Sequence, residues 1–262
     1  STRLELAYSV HQCARFSADP KESHATAIKR IGKYLLATKD KGLILNPRDH
    51  SFDCWVDADF VGNWDRVNAH VDPSTAKSRT GYVVTYASCP ITWASKLQTE
   101  VTLSTTEAEY TAISAAVREV IHLMQVLDEA ACLGWETCKE KPVIHCKVFE
   151  DNAGALEMAR LPKMRPRTKH ICVRLHHFRE YVRKGLISIH KIPTEYQLGD
   201  IATKPQPLAL FVFQREALMQ WEAEFLSRLA LSLPSRNLRA CDISSMAAKL
   251  CASALLAVRY NT

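Results

Sequence analysis

Residues 52–60, FDCWVDADF, read as a β-strand carrying carboxylates at its end. Working outward, residues 81–86 and 91–94 read as two more strands separated by a turn at residues 88–90, which makes a meander of three short strands. A long helix then runs from about Ser104 to Leu133, with Ala108, Ala112, Ala115, Ala116, Val120, Leu123 and Leu127 as its buried stripe and Gly134 as its stop. Residues 142–149 return to strand, a short helix follows Asn152, and residues 168–184 form a basic amphipathic helix ended by Gly185. Residues 186–192 give the last strand, and Thr194 with Gln197 makes a capping box for a short helix containing Asp200. The order βββαβαβα predicts an α/β fold: a mixed five-stranded sheet with flanking helices.

On the N-terminal side, residues 19–39 read as an amphipathic helix. Asp19 caps it, Pro20 suits its first turn, Glu22 completes a capping box, and Ala27, Ile28, Ile31 and Leu35 share a face. Beyond Pro205 and Pro207 an Ala-, Leu- and Ser-rich tail begins, with helix as its expected content and no readable chemistry. Boundaries therefore fall near residues 50 and 206. The 262 residues suffice for one large domain or two small ones, and 47% hydrophobic with 24% charged residues excludes wholesale disorder and fibrous repeats. A net charge of +6 fits a polyanionic partner without requiring one. Nine scattered cysteines without a C-x-x-C pair argue against a disulfide framework and for a reducing compartment. No apolar run is long enough to span a bilayer, and the missing initiator Met and signal pattern suggest a piece of a longer polypeptide.

Four acids fall where elements end or begin: Asp57 in the first strand, Glu109 in the first turns of the long helix, Asp151 closing the fourth strand, and Asp200 starting the last helix. The βββαβ order brings them to one edge of the sheet. Gathered carboxylates repel one another and take up protons unless a cation compensates, so the cluster implies hard, oxygen-binding metal ions. Two Mg²⁺ ions about 4 Å apart activate a water and stabilise the leaving oxygen in phosphodiester cleavage. Singly, each acid has an ordinary alternative: Asp57 and Asp59 as solubilising charges, Asp151 as a turn residue, Asp200 as a partner of a helix dipole. Ser104 to Glu107 is itself a capping box, which leaves Glu109 as the freer ligand.

The stretches WVDADFVGNWD, SRTGYVV, ITWASKLQTEVTLSTTEAEYTAIS, FEDNAGALEMA, RTKHICVRLHHFRE and KIPTEYQLGDIATKP resemble the ribonuclease H domain of copia-type retrotransposon polyproteins. The resemblance covers residues 51–205 in the family's order and spacing, and residues 6–35 resemble the segment joining the reverse transcriptase to that domain. It implies a ribonuclease H-like fold, hydrolysis of the RNA strand of RNA·DNA hybrids during reverse transcription, and Asp57, Glu109, Asp151 and Asp200 as ligands of two Mg²⁺ ions, with Mn²⁺ as substitute. It divides the chain into the end of the reverse transcriptase and connection segment (1–50), a ribonuclease H-like domain (51–205) and a tail of unknown role (206–262). The implied partners are the hybrid and the polymerase part of the same polyprotein, with no membrane. The implied setting is the cytoplasm, in a virus-like particle, or the nucleus. Phe60, Asn63 and Cys172 depart from the Trp, Asp and Asp usual in the family, and residues 193–200 are too short for the histidine-bearing loop of cellular ribonucleases H. No paired aspartates of a polymerase palm are present.

A hybrid is recognised through its backbone and 2′-hydroxyls. Ser104, Thr105, Thr106 and Asn152 stand beside the acids within reach of such hydroxyls, with helix capping as their rival role. Lys163, Arg165, Arg167, Lys169, His170 and Arg174 form the densest basic stretch and are placed to follow phosphates beyond the cut. His145 with Cys146, and Cys132 with Cys138, match no usual zinc spacing, and Trp55, Trp93 and Trp135 read as core or surface anchors. The competing functions are a decayed copy that grips hybrid or duplex without cutting, and an integrase-type core. The latter has its Glu on a late helix, whereas here Glu comes second and Asp last.

Overall fold

The computed structural model describes residues 2–67, 70–135, 144–160 and 176–221. A 3-10 turn at Leu4–Leu6 leads into α1 (Ala7–Ala14) and α2 (Glu22–Ala37). Strands β1 (Phe52–Asp59), β2 (Arg79–Tyr86) and β3 (Cys89–Leu97) follow, then α3 (Thr105–Cys132), β4 (Cys146–Glu150), α4 (Ala153–Arg160), α5 (Arg179–Arg183), β5 (Ile187–Lys191) and α6 (Leu208–Met219). The strands form one sheet in the order β3-β2-β1-β4-β5, antiparallel from β1 to β3 and parallel across β1, β4 and β5. Parallel neighbours need a crossover, which α3 supplies before β4 and α4 with α5 supply before β5. This is the mixed five-stranded sheet with flanking helices expected from the sequence, in the element order of a ribonuclease H-like fold.

Strand alternation sorts β1 into two faces. Phe52, Cys54, Val56 and Ala58 enter the main core beneath α3, where Ala108, Ala112 and Ala116 are buried at four-residue spacing and bring the helix close to the sheet. Ile113, Val117 and Met124 extend that buried face beyond the expected stripe, while Leu123 and Leu127 are only half-buried. Tyr110 packs on Phe178, ring centroids 5.4 Å apart, which ties α3 to the segment before α5. Asp53, Trp55, Asp57 and Asp59 have the opposite parity.

A second core covers the other side of β2 and joins the two ends of the described chain: Leu4, Val83, Ile201, Ala202, Leu218, Met219 and Trp221. The Trp221 indole donates to Gly42 O (2.6 Å), and Ile44 N donates to Met219 O (3.2 Å). Packing thus runs across residues 50 and 206. The sequence offered no tie between the tail and the preceding domain, yet α6 is anchored on the sheet; residues 222–262 lie outside the described residues.

Local differences have local causes. Helix α2 starts three residues later than expected, because the His24 ring, rather than Asp19, accepts from the backbone N–H of Lys21 (3.0 Å). Its expected apolar face is not buried: Ile28 is 56% and Leu35 38% exposed. The hairpin turns at Ala87 and Ser88, both at positive φ, so β3 already includes Cys89 and Pro90, which were expected in the turn. Of the basic helix over residues 168–184, the structure describes His176–Phe178 as a 3-10 turn and then α5; residues 168–175 lie outside the described residues.

Candidate active site

The site lies where β1 and β4 end. Gln197, fully buried, donates through Nε2 to Val56 O (2.8 Å) and Phe149 O (3.3 Å), the carbonyls just before Asp57 and Glu150. Its Oε1 accepts from Gly199 N (3.1 Å), capping the 3-10 turn Leu198–Ala202 that carries Asp200. Gln197 therefore makes the cap that the sequence assigned to Thr194, whose hydroxyl instead donates to Asp151 Oδ2 (2.7 Å). The expected short helix is two successive 3-10 turns, Thr194–Tyr196 and Leu198–Ala202. Gln214 of α6 donates to Gln197 O (2.9 Å), so the tail helix braces the same turn.

Two glycines let that turn lie against the sheet. A Cβ at Gly81, paired with Asp57 across β1 and β2, would meet Thr203 Cγ2 at 2.5 Å and Ala202 Cβ at 2.9 Å. A Cβ at Gly199 would meet the backbone between Val56 and Asp57 at 3.0–3.1 Å. With both positions bare, the Thr203 hydroxyl donates to Asp57 Oδ2 and Lys204 Nζ reaches Asp57 Oδ2 (3.5 Å) and Asp200 Oδ1 (3.0 Å).

At the start of α3, Ser104 Oγ accepts from Glu107 N (3.1 Å) and Glu107 Oε2 accepts from Leu103 N (2.8 Å). Glu107 is thus employed in capping, while Glu109, two residues on and about 200° further round, is buried with 7% exposure. One oxygen each of Asp57, Glu109 and Asp151 lie within 4.8 Å of one another, the single grouping of potential metal ligands among the described residues. Asp200 adjoins the trio at Asp57, with which it shares a side-chain hydrogen bond and the Lys204 ammonium.

Burial is the first cause of the site's electrostatics, and neighbouring carboxylates are the second. Glu109 is pushed up to about 11 by burial and then by Glu150, Asp57 and Asp151. Glu150 is raised well above the usual carboxylate range, chiefly by burial. Asp200 is pushed up to about 7 by burial and by Asp57, against the lowering effect of Lys204. Glu109 Oε2 is a buried oxygen with no hydrogen-bond partner. Hard oxygen donors in this state fit a divalent cation, which would satisfy the orphaned Glu109 oxygen and offset the repulsion.

Ser104 and Asn152 both act as caps: Asn152 Oδ1 accepts from Ala155 N (3.0 Å) at the start of α4, and its own N–H donates to Glu150 Oε1 (3.0 Å). Thr105 is exposed on the first turn of α3. Arg167, Lys169 and His170, with Lys163, Arg165 and Arg174, lie outside the described residues. His145 bonds Gly185 O and Ser188 Oγ (both 2.8 Å), Cys146 is buried, and Trp55 stacks on Phe149 with centroids 4.3 Å apart. Three residues escaped sequence reading, Glu150, Thr203 and Lys204, and Gln197 was read only as part of a capping box. Lys204 carried a usable signal, four residues after Asp200. Glu150 was masked by its neighbour Asp151, and nothing local marks the reach of Gln197 to Val56 O and Phe149 O.

No protein-family model matches the chain. It is 34% identical over 205 residues, 78% of its length, to the retrovirus-related Pol polyprotein from transposon RE1 of Arabidopsis thaliana. Over 215 residues, 82% of its length, it is 34% identical to the retrovirus-related Pol polyprotein from transposon TNT 1-94 of Nicotiana tabacum. The chain belongs to the retrovirus-related Pol polyproteins of transposons. It spans 13% and 15% of the length of those two relatives. Among solved structures, this Pol chain is similar to LC11-RNase H1 isolated from compost, with a TM-score of 0.39, 16% identity and coverage of 59% of this chain and 93% of that one. No helix among the described residues of the Pol chain is long and apolar enough to cross a membrane.

Proposed function

We propose that this Pol chain is a divalent-metal-dependent ribonuclease H that hydrolyses the RNA strand of RNA·DNA hybrids during reverse transcription. The observation that carries the reading is the convergence of Asp57, Glu109 and Asp151 within 4.8 Å, with Glu109 buried and one of its oxygens unpartnered. These three would hold one ion and Asp57 with Asp200 a second, Mg²⁺ in the cell with Mn²⁺ as substitute. Such ions supply Lewis-acid activation of a water and charge neutralisation at the phosphate. The chain's own residues prepare this: Gln197 fixes the spacing of β1 and β4, Thr203 orients Asp57 by occupying Oδ2, and Thr194 does the same for Asp151. Glu109 gives up its proton on binding, which makes loading pH-dependent. The exposed start of α3 beside the acids is where 2′-hydroxyls of the RNA strand would approach. The other partner is the polymerase part of the polyprotein.

The test is a hybrid labelled on its RNA strand, with DNA duplex and RNA duplex as controls. The expected result is cutting of the hybrid's RNA strand in Mg²⁺ or Mn²⁺ and none in excess chelator. Equal cutting in chelator would overturn the mechanism.

A further inference from the structure

The two halves of the acidic site differ in one respect. The trio Asp57, Glu109 and Asp151 has no ammonium in ion-pair contact with Glu109 or Asp151 among the described residues, whereas Asp57 and Asp200 share Lys204, at 3.5 and 3.0 Å from its Nζ. Both carboxylate side chains are 2% exposed, so the ammonium meets them in a weakly screened setting. The 3-10 turn fixes this: Lys204 N donates to Asp200 O (3.3 Å), and the side chain folds back over the turn to the acid four residues before it. The ammonium lies between the same two acids that would hold a second ion. The Lys204 side chain is 34% exposed and flexible, so it can leave toward solvent.

We propose that Lys204 is a built-in counter-cation that occupies the second metal position in the metal-free chain, so that the two ions bind in sequence. The first ion enters the Asp57–Glu109–Asp151 trio at the expense of the Glu109 proton, leaving Lys204 on Asp200. The second binds between Asp57 and Asp200 only in chains whose Lys204 has swung out, and its apparent affinity is reduced by that fraction. Lys204 thereby holds Asp57 and Asp200 in place before loading and sets the metal concentration at which the pair fills. This rests on the metal-dependent reading above.

The test is Mn²⁺ binding to the full chain, counted by calorimetry and by paramagnetic resonance, with no substrate present. The wild type is expected to show one tighter and one weaker ion. In Lys204→Met the weaker ion should tighten by about tenfold or more, as expected if Lys204 is out in fewer than about one chain in ten, with the first ion changed much less. Lys204→Arg should keep the weak second ion. A second measurement uses the wild type alone and needs no variant to fold. Acylation of Lys204, followed by mass spectrometry, should be slow without metal and rise only as the weaker ion binds. Two ions of equal affinity, a second ion indifferent to Lys204→Met, or labelling that ignores metal would overturn the proposal and leave the nuclease reading standing. A chain that binds no divalent ion would overturn both.

Discussion

Replacing Glu109 with glutamine should stabilise the metal-free chain. A glutamate ionises near 4.5 when unperturbed and Glu109 near about 11 in the fold, because it is buried beside Glu150, Asp57 and Asp151. The folded value is raised, so the stability linked to this group is fully present below about pH 4.5 and is lost as pH rises toward about 11. The loss runs at roughly 1.4 kcal/mol per pH unit. At pH 7 the unfolded chain must therefore protonate Glu109 in order to fold, at a cost of about 3 kcal/mol. That figure holds for any folded value above 7. Glutamine has the shape of the protonated acid and no such cost, so Glu109→Gln should raise the chelated chain's melting temperature by roughly 6–12 °C at pH 7. Thermal melts in chelator at pH 5, 7 and 9 should show the wild type falling more steeply than the variant. Added Mg²⁺ should stabilise the wild type and leave the variant nearly unmoved, since only the wild type binds it well. A variant that melts at or below the wild type at pH 7 in chelator would refute the reasoning.

Cleavage rates should separate the neighbouring glutamates: Glu107→Gln keeps most activity because glutamine still accepts from Leu103 N, whereas Glu109→Gln loses orders of magnitude in turnover through impaired metal binding. Asp151→Asn should abolish cleavage with the melting temperature unchanged or raised, since Thr194 retains an acceptor; a large drop in stability would make Asp151 a structural turn residue instead. Gly81→Ala should cost about 2 kcal/mol by pushing Ala202 and Thr203 off the sheet, and calorimetry should show weaker metal binding as Asp200 moves with them.

The succession of strands and helices along the chain and the candidate acids were legible because each is a local signal. Alternation marks β1, a capping box marks the start of α3, and carboxylates at element ends mark the site. The capping role of Glu107 also followed from local geometry, since Ser104 fixes the register of α3. What escaped was long-range. Gln197 bonds carbonyls of residues 141 and 48 positions away, and no local pattern encodes that reach. The anchoring of α6 was equally hidden, because Leu218, Met219 and Trp221 find Leu4 and Val83 only once the sheet exists. The face of α2 misled for the opposite reason: amphipathic spacing states which side is apolar, not whether anything covers it. Glu150 was passed over because an acid within a strand reads as exposed until its parity places it on the buried face with Cys146 and Val148.

The most direct test of the account is to locate Mn²⁺ by anomalous scattering in crystals of the chain. A peak is expected within about 2–2.5 Å of carboxylate oxygens of Asp57, Glu109 and Asp151, with a second between Asp57 and Asp200 only at higher Mn²⁺ and with Lys204 displaced. Bound Mn²⁺ found elsewhere, with Glu109 still protonated and unliganded, would contradict it.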